Sequence, residues 1–331
     1  MSITLAEAKV GMADKVDQMV VDEFRRNSVL LDNLTFDNCI SPGTGGSTLT
    51  YGYMQLLTPS TAAVRSINHE YTAGEAKKTK KTADAVPMGG AFEIDRVLQN
   101  TSGAVDELAF QAQQKIKATA NYFDYVAING TSAGSGAGYV VNTIDGLKKL
   151  LHGTANVFTS EVDVSTAALL DANGNALLDE LDAMIASVAG GVKLLLMNRK
   201  MFLKIRAAAR RAGYYDHTVD GFGRNIETYN GIPMVDMGQY YNGETSVDVV
   251  ADTAATSEAE GTSTVYAINT DLDGFIGISP EGTGVVSSYM PDMTAPGAVK
   301  KGEVELVAGV ALKNTLKAAA LTGVKTSPKT A

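Results

Sequence analysis

The apolar pattern of the chain changes character several times. Val16, Met19, Val20 and Phe24 recur at intervals of three and four, the spacing of one helix face. Residues 1–32 therefore read as a detached helical arm with too little apolar surface for a core of its own. After the turn "SPGTGGST" (41–48) the pattern thins. Residues 61–73 and 82–95 read as two extended limbs joined by a polar, lysine-rich tip, with Val64, Ile67, Tyr71, Val86, Phe92 and Ile94 scattered along them. An isolated two-stranded ribbon is marginal in water. It is either disordered or it lies on a neighbour.

The clearest helix spans about 101–127. Val105, Leu108, Ala109, Ala112, Ile116, Ala120, Phe123 and Ala127 form one alanine-rich stripe at the helical period. Thr101 or Ser102 can cap it, Asp106 and Glu107 lie early, and Lys115 and Lys117 follow, an order that suits the helix dipole. About 26 residues at 1.5 Å rise span roughly 39 Å, long for a small domain. A glycine-rich break (128–139) follows, then "DGLKKLLHG", a short helix over 177–189 and a buried strand over 192–198. Next come the basic helix "RKMFLKIRAAARRAG", the strand "GIPMVDM", an acidic Ser/Thr-rich loop over 241–264 and the strand "TVYAIN". In "EVELVAGVAL", Val304, Leu306, Ala308, Val310 and Leu312 alternate with their neighbours, the mark of a half-buried strand. Helices and strands interleaved in this way indicate an α/β or α+β protein. No repeat of 20–50 residues is present.

Composition narrows the picture. The 331 residues are 45% apolar and 20% charged, ordinary for a globular chain. A formal net charge of -9 argues against a surface dedicated to nucleic acid. The single cysteine, Cys39, excludes an intramolecular disulfide or a cysteine-based metal cluster and reads as a small core residue. No apolar run reaches membrane-span length, and "MSITLAEAKVGMADK" has no secretory pattern. A soluble protein made in a cytoplasm is expected, so the Asn-x-Ser/Thr triplets at Asn33, Asn100 and Asn129 read as chance matches.

Catalytic chemistry is hard to find. His69, His152 and His217 are far apart and fit no metal-ligand spacing. "GTGGST" and "GTSAGSGAG" lack the Gly-Lys-Ser/Thr ending of a phosphate loop. "DANGNALLDE" (171–180) has its glycine at the wrong position for a calcium loop. No nucleophile elbow occurs, and the carboxylate pairs Glu93/Asp95 and Asp271/Asp273 read as solvated. No catalytic, cofactor or metal site is expected, and the protein reads as a non-enzyme.

The lysine cluster Lys77, Lys78, Lys80 and Lys81 remains. It lacks the aromatics and arginines of a nucleic-acid site. A solvated loop is one reading. The other is contact with acidic groups of a second copy, since Glu70, Glu75, Asp84, Glu93 and Asp95 lie on the same hairpin and complementary charges fix register.

The order of elements carries a resemblance. An arm, a long two-stranded loop with a charged tip, "GGAFEIDR", a long helix ending in "FDYVAINGT", then "IDGLKKLL", "LLLMNRKMFLKIR", "NGIPMVDM", "YAINTDLDGFIGI" and a closing strand-helix "KGEVELVAGVALKNTLKAAALTGVK" resemble the major capsid proteins of tailed bacteriophages, the HK97-like fold family. The resemblance covers nearly the whole chain and implies an α+β fold. Its parts would be an N-terminal arm (1–33), an extended two-stranded loop (53–94), and a peripheral domain (34–52, 95–144 and 286–312) holding the spine helix. An axial domain (145–285) and a C-terminal axial segment (313–331) would complete it.

The implied function is self-assembly, as hexamers and pentamers, into an icosahedral shell around double-stranded DNA, contacted without specificity. The alternative on the same fold is an encapsulin-like nanocompartment; an alternative of another class is a monomeric sugar- or peptide-binding protein. Implied partners are further copies of the chain, a separate scaffolding protein, a portal protein and, optionally, a decoration protein, with no membrane. The protein would reside in the virion after assembly in the bacterial host cytoplasm. Intersubunit contacts would come from Lys77, Lys78, Lys80, Lys81, Glu70 and Glu75. Spine-helix packing would use Val105, Ala109, Ala112, Ile116 and Phe123, and contacts at the capsomer axis Tyr214, Tyr215, Phe222 and Arg224. Some branches of the family crosslink a loop lysine to an asparagine; the matching segment "MPDMTAPGAVKKG" (290–302) has none, so non-covalent staples are expected.

Overall fold

The structure, a computed structural model, describes residues 28–39, 48–97, 107–135, 138–213, 216–219, 225–280 and 286–330. In chain order these form α1 (Leu30–Asn33), β1 (Phe36–Asn38), β2 (Thr50–Thr58), β3 (Lys77–Asp84), β4 (Val86–Asp95), α2 (Glu107–Asn129), α3 (Leu147–Leu151) and β5 (Val157–Thr159). There follow α4 (Ala167–Ser187), β6 (Leu194–Met197), α5 (Arg199–Ala212), β7 (Asp216–Val219), β8 (Asn225–Tyr229), β9 (Ile232–Asp236), β10 (Gln239–Tyr241) and β11 (Ser246–Asp248). The chain ends with β12 (Gly261–Ile268), β13 (Phe275–Ser279), β14 (Val286–Tyr289), β15 (Val299–Leu312) and β16 (Ala318–Ser327).

The first sheet is organised by β15. From Val299 to Leu306 its residues alternate exposed and buried; from Ala308 onward both faces are covered. Its first half is flanked by β4 and β14, its second by β13, all antiparallel. The inward side chains meet α2: Val304 packs with Phe92 and Ala112, and Leu306, Ala308 and Val310 join Phe123, Val126 and Ala127. Gly302 faces Phe92 across the ladder. A side chain there would put Cβ 2.4 Å from the ring, so the glycine makes room for the phenyl group.

The second sheet has seven strands in the order β5-β16-β12-β6-β9-β8-β7. Leu195, Met197, Val265, Ala267, Ala319 and Leu321 meet Leu177, Leu181, Met201 and Ile205 of α4 and α5 on one face. Leu194, Leu196, Tyr266, Ile268, Ala318 and Ala320 face Leu147, Leu151 and the end of α2 on the other. Burial on both faces explains why these strands read as continuous apolar runs.

Three expectations change. The helix expected over 177–189 begins at Ala167, where Thr166 accepts a hydrogen bond from the Leu169 amide at 3.3 Å. It runs through Gly174, buried opposite Ala208 of α5, where a Cβ would lie at an ordinary contact distance of 3.5 Å from the alanine's. The closing segment is strand β16, not a helix, because its run of alanines alternates between two cores and small residues suit a doubly covered strand. The loop expected over 241–264 contains β11 and the start of β12.

Helix α2 is described for 23 residues, roughly 35 Å; residues 101–106, with the expected caps, lie outside the described residues. Its C-terminal half is enclosed all round. Thr119 and Asn121 are buried there and bond back to the carbonyls of Lys115 and Lys117. Asp124 is different: its carboxylate accepts from the Val29 amide at 2.7 Å and the Leu30 amide at 3.2 Å, with Ser28 Oγ at 3.4 Å. It thereby roots α1, with buried Leu30, on the long helix. Burial pushes the Asp124 carboxyl up to about 7; the Val29, Leu30 and Ser28 donors oppose this, while the Asp32 charge adds to it. The folded value thus exceeds the ordinary one, so the contribution of Asp124 to stability is greatest below about pH 4 and falls as pH rises toward 7. We expect Asp124→Asn to flatten this slope in pH-dependent denaturation. Asp124→Ala, which leaves two buried amides without acceptors, should cost about 2–4 kcal/mol in the same measurement at neutral pH.

Candidate assembly surface

Alternation divides the β2–β3 ribbon into two faces. Tyr51, Tyr53, Gln55, Thr79 and Ala83 are half-buried against the body; Gly52, Met54, Leu56, Lys78, Lys80 and Thr82 are exposed. Across the outward face Met54 pairs with Lys80 and Leu56 with Lys78. Met54 and Leu56 are 65% and 61% exposed. The tip, residues 59–76, leaves Val64, Ile67 and Tyr71 in solvent, with the Arg65 guanidinium 5.3 Å over the Tyr71 ring.

This corrects the expected limbs. The lysines lie in strand β3, not at the tip, and the second limb ends at Asp84. From Val86 the chain is β4 of the first sheet, with Phe92 and Ile94 buried. Glu70 and Glu75 are exposed at the tip. Among the described residues no ion pair joins Lys77, Lys78, Lys80 or Lys81 to a carboxylate, so the ribbon presents uncompensated positive charge beside exposed apolar side chains.

The ribbon is rooted by side chains from three segments. Tyr51 Oη donates to Asp37 Oδ2 at 2.7 Å, and Lys313 Nζ reaches the same oxygen at 3.3 Å while standing 5.1 Å over the Tyr51 ring. Tyr53 Oη donates to the Leu312 carbonyl and Gln55 Nε2 to that of Lys313, each at 3.2 Å. Beneath them Cys39, Ile276, Ile278 and Ala311 form a small core; burial pushes the Cys39 thiol up and the Asp37 charge adds to this. Burial alone would raise the Asp37 carboxyl, but the Tyr51 hydroxyl, the Asn38 amide and Lys313 outweigh it and hold it below the ordinary value.

An acidic surface lies elsewhere on the molecule. The face of β15 turned away from α2 exposes Lys301, Glu303 and Glu305, with Lys301 paired to Glu303 at 2.8 Å and standing opposite Glu93, and β4 exposes Gly89, Ala91 and Glu93 beside them; the three carboxylates leave this face net acidic. Residues 87–91 and 303–305 line a shallow cleft of about 270 Å³ there. The small residues of β4 leave the carboxylates standing above a flat floor.

Of the expected packing residues on α2, Phe123 and Ala112 are buried and Ile116 is half-buried. Ala109 is exposed, contrary to expectation. Near its start α2 packs against Phe92, Val304 and Val286, and Ala109 lies about 60° round the helix from Ala112, away from that contact. Val105, Tyr214, Tyr215, Phe222 and Arg224 lie outside the described residues. Sequence reasoning missed Asp124, legible as one acid within the apolar "FDYVAI", and the Asp37–Tyr51–Lys313 cluster, for which no local signal exists. No group of three or more His, Cys, Asp or Glu side chains able to hold a metal occurs among the described residues, and no described helix is long and apolar enough to cross a membrane.

Comparisons with known proteins place this geometry. A family model described as SU10 major capsid protein matches residues 65–234. No curated protein matches the chain. Among solved structures, the fold is similar to the holo-SrpI encapsulin complex from Synechococcus elongatus PCC 7942, at 12% identity and TM-score 0.67 over 100% of this chain and 99% of the other. It is similar to Mycobacterium phage Bobi at 14% identity and TM-score 0.60, over 98% and 99%. The capsid of Myoviridae phage XM1 matches at 14% identity and TM-score 0.58, again over 98% and 99%. These likenesses establish the HK97-like fold.

The buried start of the α2 stripe yields a direct test. Ala112→Glu puts a charge between Phe92 and Val304, and we expect a loss of about 2–4 kcal/mol in denaturant unfolding. Ala109→Glu, on the exposed side, should lie within about 0.5 kcal/mol of wild type.

Proposed function

We propose, from the premise that this chain belongs to the SU10 major capsid protein family and is a coat protein of an icosahedral phage shell, how one subunit meets the next. Self-assembly, residence in the virion and a structural rather than enzymatic role go with the family. The encapsulin likeness, at 12% identity, concerns the fold and does not favour a nanocompartment.

In our reading the β2–β3 ribbon is the extended loop, and it lies over a neighbouring copy. The observation that carries this is the outward face of the ribbon: two exposed apolar residues and the lysines have no partner among the described residues of their own chain. A second copy offers the outer face of β15 and β4, where Glu93, Glu303 and Glu305 outnumber Lys301, itself paired with Glu303 at 2.8 Å. Met54 and Leu56 would supply burial, and Lys78 and Lys80 would set register. Glu70 and Glu75 at the tip would meet a further basic group of a neighbour.

The first sheet with α2 corresponds to a peripheral domain, and the seven-stranded sheet with α4 and α5 to an axial domain that gathers copies into hexamers and pentamers. Tyr214, Tyr215, Phe222 and Arg224 would line the capsomer axis. Assembly would take place in the host cytoplasm with a separate scaffolding protein and a portal protein. The closed shell would hold double-stranded DNA without specific contacts and could accept a decoration protein outside. The staples would be non-covalent.

Replacing Lys77, Lys78, Lys80 and Lys81 by glutamate tests the ribbon contact. The variant should remain folded by circular dichroism yet lose closed particles about tenfold or more in negative-stain microscopy and sedimentation, because like charges would then face each other. Wild-type particle yield from that variant would refute the staple. A wild-type chain that stays monomeric even with its scaffold would refute the shell reading as a whole.

A further inference from the structure

We propose that Asp37, Tyr51 and Lys313 are positioning residues that fix the angle at which the ribbon leaves the body, and that this angle sets the curvature at which copies join. The inference rests on the ribbon-to-neighbour reading above and adds the device that aims the ribbon.

The ribbon is a lever. From Thr50 to Thr58, β2 has nine residues, about 30 Å at 3.4 Å rise. A turn of about 5° at its root moves its far end by about 3 Å, enough to break a register of charge pairs. Something must therefore hold the root more firmly than the backbone ladder of two strands can.

Three successive inward side chains do this. Tyr51, Tyr53 and Gln55 each reach a fixed group: the Asp37 carboxylate, the Leu312 carbonyl and the Lys313 carbonyl. Three contacts in a row resist both swing and twist, where one would act as a pivot. The groups they reach are themselves immobilised. Leu312 is buried at the end of β15, the Lys313 amide donates to the Gly274 carbonyl at 3.1 Å, and Asp37 lies in β1, paired with β13. Lys313 closes the arrangement by holding Asp37 and covering the Tyr51 ring together.

The location gives the clamp its reach. Lys313 stands in the short link between β15 of the first sheet and β16 of the second. A change in how the two sheets sit relative to each other therefore passes through the residue that aims the ribbon. In this proposal Lys313 is the point at which shell curvature, which depends on both, is adjusted.

The test is the double variant Tyr51→Phe/Lys313→Met, which keeps the ring and the aliphatic stem but removes the hydroxyl and the charge, with Lys313→Arg as the conservative control. In the full-length unassembled chain, amide exchange over residues 51–57 should quicken about tenfold in the double variant and stay at the wild-type rate in Lys313→Arg. Unchanged exchange in the double variant would overturn the clamp, whatever the shell does. In assembled material, cryo-electron microscopy should show a broader spread of particle diameters for the double variant than for wild type or Lys313→Arg. The same narrow diameter in all three would overturn the link to curvature. Failure of the wild type to form particles would remove the shell reading, while the exchange measurement still decides the clamp.

Discussion

Strand β15 is the constraint on which the rest of the molecule depends. It is hydrogen-bonded along its length to β4, β13 and β14, and its inward residues carry the long helix. Its last residues are buried on both faces and lead within a few positions into β16, the second strand of the other sheet. A change of register in β15 would move Val304, Leu306 and Ala308 from the helix to the solvent face, since the side-chain period is two. Such a slip would also carry Leu312 and Lys313 away from Tyr53 and Gln55. The core and the aim of the ribbon are therefore set by one register.

The ribbon is the complement of that strand. Where β15 is satisfied on every side, β2 and β3 are satisfied on one. Their inward residues bond to the body; their outward residues are exposed among the described residues. A lone protein gains nothing by holding Met54, Leu56 and Val64 in water, and an unsupported hairpin is marginal. The exposed apolar area makes sense as surface buried later, between copies. The body, by contrast, has closed cores on both faces of the second sheet and around the end of α2.

Much of this was legible because periodicity reports burial. The alternation in "EVELVAGVAL" gave β15, and the apolar run "LLLM" gave a doubly covered strand. The ordered set of segments pointed to the HK97-like fold. The misreadings have physical causes. "AAALTG" looked helical because alanine favours helices, yet between two layers its small size decides. Lysine and threonine in "KKTKK" looked like a loop tip, yet threonine suits a strand and the lysines need only one open face. The Asp37–Tyr51–Lys313 cluster joins residues 14 and 262 positions apart, counted from Tyr51, and the rooting of α1 on Asp124 spans 95. No local pattern carries contacts of that range.

The charge distribution bears on how such a shell forms without clumping. Bodies of net charge -9 repel one another at a distance, but salt confines that repulsion to about 8 Å under physiological conditions. In the proposed staple the lysine strand would meet carboxylates of the next copy within that range, so the local attraction would oppose the global repulsion only in the correct pose. One exposed ion pair contributes little, about 1 kcal/mol or less. A closed shell repeats the contact in every subunit, and once a subunit is held at one edge its remaining contacts form as intramolecular events. Weak, charge-selected contacts are then an advantage: a misplaced subunit held by one ribbon dissociates, while a correctly placed one is retained by all its neighbours together.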